Sequence, residues 1–379
     1  MPTSDGRIKV LILLPNLVSG GGQKIVVDLA RCLNRDGFQP HLLVHEQFGS
    51  FTSEVQCSLA GDEVEYLLDR PFRRSDLPRL LLRTFARARQ SDVVVCGLEG
   101  RASALGLIAA KLARKPTVCW IHIDWSPFSQ LVSWRQTLSL RAYRLADNVV
   151  ACSQGAADNF SELFSVPREK TLPINNMIPC KRVERNASVA LPPEHASLFD
   201  KPTVVMVGRL ETQKGYPYLI EAHAQLIDNG LSHNLVIIGE GSELSKLKAI
   251  VKERRVESSV YFLGFQTNPH RYMKRATVFA LSSEFEGFGL VLAEALTCGV
   301  PVVATDCLSG PAEILDWGKY GLLVRPQDSS ELAEALGRML TEPDLRQRYA
   351  DLAHERGLDF DETRVVPHWE MHLAALAGR

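Results

Sequence analysis

The chain has 379 residues, which is longer than one ordinary domain and sufficient for two. Its composition, 45% hydrophobic and 23% charged, is that of a globular protein. Its apolar runs stay well short of the roughly 20 residues that cross a bilayer, and the run Val10–Leu14 stops at Pro15, too early for a signal peptide. The eight cysteines are scattered without a Cys-x-x-Cys pair, which is typical of reduced thiols and argues against a disulfide framework or a zinc site, so we predict a cytoplasmic protein.

The net charge of −1 conceals an asymmetry between the two halves of the chain. Residues 1–190 carry 24 Lys and Arg against 18 Asp and Glu, whereas residues 191–379 carry 19 against 26. A basic first half indicates an anionic partner there, either a phospholipid surface or a phosphorylated ligand. A chance difference between halves is the alternative. We expect no nucleic-acid partner.

The first half alternates predicted strands with helices. The apolar strand Lys9–Leu14 runs into the glycines Gly20–Gly22 and then into a helical pattern over Gln23–Leu33. Continuous apolar strands of this kind belong to parallel sheets that are covered on both faces. The further strands predicted in this half are His41–Val44, Asp92–Cys96, Thr117–Ile121, Asn148–Cys152 and Lys170–Pro173.

A basic segment, Arg70–Arg89, lies inside this half. A helix that starts at Leu77 would place Arg79, Arg83 and Arg87 four residues apart on one face. A basic amphipathic helix can lie on an anionic membrane, and this predicts a peripheral contact with the inner face of the membrane. The alternative is the solvated face of a helix that covers the sheet.

The second half opens like the first. The apolar strand Thr203–Val207 is followed by the loop Gly208–Gly215 and a helical pattern over Tyr218–Leu226. Amphipathic helices are predicted near the end, at Glu331–Met339 and Leu345–Arg356. The further strands predicted in this half are Asn234–Ile238, Val260–Phe262, Val278–Leu281 and Val300–Thr305.

Strand–helix alternation through both halves predicts an α/β fold with two doubly wound, Rossmann-like parallel-sheet domains. The first domain covers residues 1–180 and the second covers residues 202–360. Residues 181–201 lack a clear period and contain Pro192-Pro193, which predicts a linker. Residues 361–379 are predicted to form a C-terminal helix that crosses back to the first domain.

The most informative segment runs from Ser282 to Ala295, directly after a predicted strand. Gly287 and Gly289 permit a tight turn, and a helix begins near Leu290. The start of that helix suits a phosphate, because its backbone N–H groups lack partners and its dipole is positive there. Glu286 and Glu294 flank the turn and can accept hydrogen bonds from hydroxyls. This combination meets the needs of a nucleotide sugar, whereas two solvated surface glutamates are the alternative.

The spacing of Glu286 and Glu294 within EGFGLVLAEA resembles the signature of the family 4 retaining glycosyltransferases. Residues 203–330 are similar to the C-terminal domain of that family almost throughout, including Gly208-Arg209, Lys214-Gly215 and Gly310-Pro311. The segment Asp306–Leu315 resembles bacterial members that build lipid-linked or polysaccharide glycans. The resemblance implies the GT-B architecture, in which the two domains face each other across a cleft, the first binding acceptor and the second binding a nucleotide sugar.

The resemblance also implies roles for individual residues. Arg209 and Lys214 match the basic pair that binds the donor diphosphate, and a guanidinium with an ammonium on one loop suits a leaving pyrophosphate independently of the family. Glu286 would contact the donor sugar and Glu294 the ribose hydroxyls. The remaining positions that match donor contacts in the second domain are Gly208, Gly241, Phe265, Gly287, Phe288, Gly289, Leu290 and Val291.

In the first domain, Gly21 and Gly22 resemble the glycine turn that meets the diphosphate, although such a turn can also serve plain chain reversal. His122 follows the strand Thr117–Ile121 and matches a histidine that contacts the transferred sugar. A purely structural histidine is the alternative.

The implied function is transfer of a hexose or N-acetylhexosamine, with retention and without a metal or other cofactor, from a nucleotide sugar. The donor is predicted to be UDP-linked and the acceptor a saccharide or lipid-linked saccharide, giving an α-glycosidic bond. The alternatives are a nucleotide-sugar epimerase, a phosphorylase, or an inactive homologue that binds a nucleotide sugar, since fold alone does not fix function.

Overall fold

The computed structural model describes residues 6–18, 20–49, 59, 63–129 and 133–378. The chain divides into two compact units. The first unit comprises Met1–Met177 with Thr363–Arg379, and the second comprises Ile178–Glu362. Residues 181–201, predicted as a linker, therefore belong to the second unit.

The first unit is built on a parallel sheet, which in the described ranges has seven strands in the order β3-β2-β1-β4-β5-β6-β7. The strands are β1 Ile8–Leu14, β2 Phe38–Glu46, β3 Val64–Leu68, β4 Val93–Cys96, β5 Thr117–Ile121, β6 Asn148–Ala151 and β7 Thr171–Pro173. The helices that connect them are α1 Gly21–Cys32, α2 Leu77–Gln90, α3 Arg101–Ala113, α4 Trp134–Arg141 and α5 Gln154–Phe164.

The second unit has its own parallel sheet, with strand order β10-β9-β8-β11-β12-β13. Its strands are β8 Thr203–Val207, β9 Asn234–Ile238, β10 Val260–Phe262, β11 Val278–Leu281, β12 Val302–Thr305 and β13 Leu322–Val324. Its helices are α6 Cys180–Ala187, α7 Pro193–Ala196, α8 Tyr216–Asp228, α9 Leu244–Glu253, α10 His270–Met273, α11 Leu290–Thr297, α12 Pro311–Ile314, α13 Ser329–Thr341 and α14 Pro343–Leu358.

The central strands carry the core of each unit. Every residue of β4, β5, β8, β9 and β11 is buried, as expected for strands that helices cover on both faces. In both sheets the strand order reverses direction beside the first strand, β1 or β8, which is the doubly wound topology. The prediction of two doubly wound parallel α/β domains is confirmed.

Several elements differ from the sequence-based prediction. Strands β3 and β13 were not predicted, because β3 mixes polar and apolar residues (VEYLL) and β13 is an apolar run of only three residues (LLV), which periodicity alone does not identify as a strand. Helix α6 overlaps the segment 181–201 that was predicted as a linker. Most of its residues are polar, and only Cys180, Val183 and Ala187 form a buried stripe, so the helical period is weak in the sequence. Helix α1 begins at Gly21, so that two glycines form its first turn instead of preceding it.

The last helix, α15 Glu362–Leu376, places the C-terminal residues in the first unit. Trp369 is fully buried there, and its ring centroid lies 4.4 Å from that of Trp120. Glu370 Oε1 accepts a 2.6 Å hydrogen bond from the Asn34 backbone N–H. Among the helices of the described ranges, none combines the length and the apolar character that crossing a bilayer requires.

A chain of buried hydrogen bonds joins two histidines at the amino-terminal edge of the second sheet. His223 Nδ1 lies 2.8 Å from His233 Nε2, while His223 Nε2 lies 2.8 Å from Ser259 Oγ. His233 Nδ1 lies 2.8 Å from the Leu231 carbonyl oxygen, which can only accept, so this nitrogen carries a proton. Burial, together with the neighbouring His233, lowers the pKa of His223 to about 3, and burial also lowers the pKa of His233.

We expect the free energy of unfolding to fall as the pH drops from about 6.5 towards 4. Unfolded histidine binds a proton near pH 6.5, whereas folded His223 does not until about pH 3, so the unfolded state gains protons first. One such histidine contributes up to about 1.4 kcal/mol per pH unit. Urea unfolding followed by circular dichroism at pH 7, 6, 5 and 4 measures this. His223→Gln should give a shallower dependence, and an identical dependence would contradict the assignment.

Candidate functional site

The loop after β8 carries two of the predicted donor-binding side chains. It starts at Gly208, whose carbonyl oxygen accepts a 2.9 Å hydrogen bond from the Tyr216 hydroxyl. A single 3₁₀ turn, Thr212–Lys214, ends at Gly215 with φ +62°. A Cβ at Gly215 would lie 2.0 Å from the Ser282 carbonyl oxygen, so only glycine lets this loop approach the end of β11.

Hydrogen bonds join this loop to the one after β11. Ser282 Oγ donates to the Lys214 carbonyl oxygen at 2.9 Å, and the Glu284 backbone N–H donates to the Gln213 carbonyl oxygen at 2.8 Å. Gln213 Nε2 in turn donates to the Phe285 carbonyl oxygen at 3.0 Å. The two loops therefore form one structure at the carboxyl edge of the sheet, where open α/β domains bind ligands.

This junction brings together Lys214 and Glu286, which are 72 residues apart in the chain. Lys214 Nζ lies 2.6 Å from Glu286 Oε1, and the two side chains are only 13% and 8% exposed. Ser283 Oγ donates to the same oxygen at 2.7 Å. Both contacts use Oε1, which leaves Oε2 of the carboxylate to a further donor. Removing one partner of such a buried pair leaves an uncompensated charge.

The Glu286 carboxylate also affects the neutral groups around it. The pKa of the Tyr216 hydroxyl is raised by burial and then by Glu286. The same two causes raise the pKa of the Cys307 thiol to about 12. Both groups therefore stay protonated near neutral pH, and the charge of the cluster lies on Lys214 and Glu286. Arg209, on the same loop as Lys214, is exposed.

The glycine turn before α11 presents an uncapped helix start. The N-cap residue of α11 is Gly289, which has φ +101° and no side chain to cap the helix, and the first turn contains no acidic residue. Such an end attracts an anion through its N–H groups and its dipole. Gly310, with φ +90°, packs directly against this turn. A Cβ at that position would lie 2.1 Å from the Phe288 carbonyl oxygen, so only glycine fits there. Leu290 and Val291 form the first positions of the helix.

Glu294 lies one turn further along α11, with 7% of its surface exposed. Its Oε2 lies 3.6 Å from Nε2 of His270, a residue at the start of α10. His270 was not predicted, because it belongs to no motif and reaches Glu294 only through the packing of two helices.

The loops after β9 and β10 meet at the same edge. The Gly239 N–H donates to the Gly264 carbonyl oxygen at 2.9 Å, and a Cβ at Gly241 would lie 2.3 Å from the Leu210 carbonyl oxygen. Phe265 is 64% exposed, so its ring is a surface platform and not a core side chain. All the predicted donor-contact positions of the second unit thus follow the carboxyl ends of β8 to β11.

In the first unit, His122 is held at both its backbone and its ring. Its N–H donates to Glu99 Oε1 at 2.8 Å, and Nε2 lies 2.7 Å from the Gly97 carbonyl oxygen. Because that oxygen only accepts, Nε2 carries the proton and Nδ1 is left as an acceptor. Burial lowers the pKa of His122 to about 4, so the ring is neutral near pH 7. Glu99 was not predicted, and burial raises its pKa.

The glycines of α1 lie beside this histidine. A Cβ at Gly22 would lie 2.7 Å from Leu98 Cδ2 and 3.5 Å from His122 Cγ, while Gly21 begins the helix at an exposed position. The N-cap Gly20 offers no side-chain cap, so the helix start is again uncapped. The structure therefore brings Gly22 and His122 together within the first unit.

The basic segment Arg70–Arg89 divides into paired and exposed arginines. Arg70 makes two hydrogen bonds to Asp76, of 2.9 and 2.8 Å, and Arg87 pairs with Glu65. Arg79 and Arg83 are exposed on α2, and Leu82 between them is 68% exposed. The structure thus leaves part of the predicted basic face in solvent.

Two aspartates separated by one residue, Asp359 and Asp361, follow α14, and each contacts a neighbouring group of the second unit. Asp359 Oδ2 lies 2.8 Å from Arg356 NH1, and Asp361 Oδ2 accepts from the Cys180 backbone N–H at 3.3 Å. Within the part of the chain that the structure covers, no group of three or more His, Cys, Asp or Glu side chains is placed to hold a metal ion.

Two doubly wound parallel-sheet units, with a basic loop and a glycine turn at the carboxyl edge of the second sheet, are the architecture of the GT-B glycosyltransferases. Comparison with known families agrees: residues 19–182 match the model described as "Glycosyltransferase Family 4", and residues 191–356 match "Glycosyl transferases group 1". The chain belongs to the family 4 glycosyltransferases.

Individual relatives match nearly the whole chain. The N-acetylgalactosamine-N,N'-diacetylbacillosaminyl-diphospho-undecaprenol 4-alpha-N-acetylgalactosaminyltransferase of Campylobacter jejuni is 30% identical over 370 residues, covering 94% of this chain and 97% of that protein. The amylovoran biosynthesis glycosyltransferase AmsD of Erwinia amylovora is 25% identical over 371 residues, covering 95% and 98%. The crystal structure of Anabaena Alr3699/HepE in complex with UDP shares the fold, with a TM-score of 0.82, 24% identity and coverage of 97% and 100%.

We expect Gly310→Ala to lower the free energy of unfolding by at least about 2 kcal/mol more than Gly230→Ala does. Both glycines have positive φ, +90° and +83°, so both substitutions strain the backbone, but only Gly310 also meets the Phe288 carbonyl oxygen. Chemical denaturation followed by circular dichroism compares the two variants. Equal losses of stability in the two variants would mean that the contact between Gly310 and the Phe288 carbonyl oxygen does not constrain the glycine turn.

Proposed function

We propose that the protein is a retaining glycosyltransferase that moves a hexose or N-acetylhexosamine from a UDP-sugar to a saccharide or lipid-linked saccharide, forming an α-glycosidic bond without a bound metal. The observation that carries this proposal is the buried Lys214–Glu286 pair beside the uncapped start of α11. It supplies cationic and dipolar groups for a diphosphate and a carboxylate for hydroxyls, at one sheet edge.

The donor diphosphate would bind between Arg209, Lys214 and the first N–H groups of α11. A guanidinium and an ammonium on one loop can stabilise the charge that develops on a departing nucleoside diphosphate. Lys214 would then share its charge between Glu286 and the phosphate. Arg209 is exposed and makes no ion pair with the described residues, so it would turn to the phosphate without breaking one. These groups would supply the positive charge that other glycosyltransferases obtain from a divalent cation.

Glu286 and Glu294 would bind hydroxyl groups of the donor by accepting hydrogen bonds from them. Oε2 of Glu286 remains open to a sugar hydroxyl, because Lys214 and Ser283 both use Oε1. Glu294, buried one turn into α11, would accept hydrogen bonds from the ribose diol. Phe265, exposed at the end of the β10 loop, would lie beside the base. UDP is favoured as the nucleotide because a protein of the same fold was crystallised with UDP.

Retention would follow from attack on the same face as departure. The acceptor oxygen bonds to the anomeric carbon while the bond from that carbon to the diphosphate oxygen breaks. The acceptor proton passes to the departing phosphate, so no carboxylate nucleophile is needed. His122, neutral and protonated on Nε2, would accept a hydrogen bond from a hydroxyl of the transferred sugar at Nδ1.

The acceptor class rests on relatives and on charge. The full-length Campylobacter relative is named for transfer to a diphospho-undecaprenol-linked sugar, with an α-linked N-acetylgalactosamine as product. An anionic acceptor of this kind agrees with the excess of basic residues in the first half of the chain.

We expect one UDP-sugar in a panel of UDP-, GDP- and ADP-sugars to be hydrolysed or transferred, with UDP released at the same rate in EDTA. Lys214→Ala should lower the turnover by about 100-fold, because it removes stabilisation of the leaving diphosphate. Lys246→Ala, an exposed lysine of the same unit, is the control and should match the wild type. UDP release is measured by a coupled assay.

The linkage tests retention separately from donor choice. NMR of the product should show an α-linked sugar from an α-linked donor. A β-linked product would contradict the same-face mechanism while leaving the donor site intact. Epimerisation of the donor without any acceptor, or a requirement for inorganic phosphate, would instead support the epimerase or phosphorylase alternatives.

We also propose a peripheral contact with an anionic membrane through the segment Arg70–Arg89. The exposed side chains Arg79, Leu82 and Arg83 combine positive charge with an apolar residue on one side of α2. Neighbouring α3 adds the exposed residues Ile108 and Leu112. A surface with this composition suits the interface of a bilayer that contains anionic lipids.

The protein is expected to float with phosphatidylglycerol-containing vesicles at low salt, and less well with neutral ones. Arg79→Glu combined with Arg83→Glu should remove the binding, since each basic residue near the surface contributes about 1 kcal/mol. Lys248→Glu with Lys252→Glu, an equally spaced exposed pair on α9, is the control. Flotation that is unchanged by the α2 substitutions would exclude this segment as the contact.

A further inference from the structure

His270 is a buried imidazole without a hydrogen bond. Its side chain is 9% exposed, and both ring nitrogens lack a hydrogen-bond partner in the part of the chain that the structure covers. Buried polar groups in folded proteins are nearly always bonded, so an exception requires a reason. The other buried histidines of this unit, His223 and His233, show the usual arrangement, because each is bonded through both nitrogens.

The carboxylate of Glu294 lies close to Nε2 of His270. Its Oε2 lies 3.6 Å from His270 Nε2, which is longer than a hydrogen bond but within range for a charge interaction, and both side chains are about nine-tenths buried. Apo sites often hold such pairs at long distance and tighten when the ligand binds.

Other polar groups around this pair have partners or are neutral. Lys274 Nζ donates to the Cys298 carbonyl oxygen at 2.8 Å. Burial and then Glu294 raise the pKa of the Cys298 thiol to about 12, so the thiol carries no charge. Nε2 of the His270 imidazole therefore lies near the Glu294 carboxylate, and neither ring nitrogen has a hydrogen-bond partner among the described residues.

We infer that His270 is a positioning residue for ribose recognition, an inference that rests on the proposed function of Glu294. Nε2–H of His270 draws Oε2 of the carboxylate towards α10 and fixes the rotamer of Glu294. The other oxygen then faces the ribose 2′- and 3′-hydroxyls. A carboxylate held in this way loses less conformational freedom when the diol binds, and it accepts the two hydroxyls in one geometry.

The test uses UDP and 2′-deoxy-UDP, whose binding requires neither the sugar nor the acceptor to be known. Calorimetry gives the affinity ratio of the two nucleotides for each variant, and thermal unfolding gives its stability. We expect the wild type to prefer UDP by about 10- to 100-fold, the range for a hydrogen bond to a charged group. Glu294→Ala should bring the ratio close to one.

The histidine variants then separate positioning from structure. His270→Leu and His270→Asn should each lower the UDP preference by about three- to tenfold, because Leu has no donor and the amide of Asn is too short to reach Oε2. His270→Gln, which retains a donor, should stay near the wild type. His223→Leu, which disrupts a buried histidine far along the chain from Glu294, should lower stability without changing the ratio. In a Glu294→Ala background, His270→Leu should have no further effect on the ratio.

Two results would overturn the inference. One is an unchanged UDP preference in both His270→Leu and His270→Asn while Glu294→Ala loses it. The other is an equal loss in His270→Leu and in the His223→Leu control, which would mark the effect as structural. If the wild type binds neither nucleotide, the proposed function itself fails, and that outcome is distinct from both.

Discussion

The close meeting of the loops after β8 and β11 is the constraint on which the site depends. Gly215 permits the approach, since any Cβ there would overlap the Ser282 carbonyl oxygen. Three hydrogen bonds then fix the two loops to each other. Only in this arrangement does Lys214 reach Glu286 in a buried pair. A buried ion pair is destabilising unless its geometry is good and its other hydrogen-bonding atoms also have partners. Here Ser283 Oγ supplies one further hydrogen bond to the Glu286 carboxylate.

The same edge concentrates groups with different electrostatic tasks. Lys214, Arg209 and the start of α11 provide positive potential, whereas Glu286 and Glu294 would accept hydrogen bonds from the neutral hydroxyls of the proposed donor. Burial and the nearby Glu286 keep Tyr216 and Cys307 neutral, so these two side chains pack beside the ion pair without adding charge. A nucleotide sugar combines a dianion with two sets of hydroxyls, and this edge offers complementary groups for each.

The sequence predicts much of the second unit, because its strands are continuous apolar runs. The strands Thr203–Val207, Asn234–Ile238, Val260–Phe262 and Val278–Leu281 match the structure to the residue. Helix α6 was missed because its few apolar residues are interleaved with polar ones, and edge strand β13 was missed because its apolar run is only three residues long. The pairing of Lys214 with Glu286 could not be predicted, nor could the contacts of His270 and Glu99. Each depends on side chains that only the packing of distant segments brings together.

The most direct test of the account is a crystal structure of the protein with UDP. The account predicts that the diphosphate lies within hydrogen-bonding distance of Lys214 Nζ and the N–H groups of Leu290 and Val291, with the ribose on Glu294. A diphosphate bound away from α11, with Lys214 still paired only to Glu286, would contradict the assignment of this edge as the donor site.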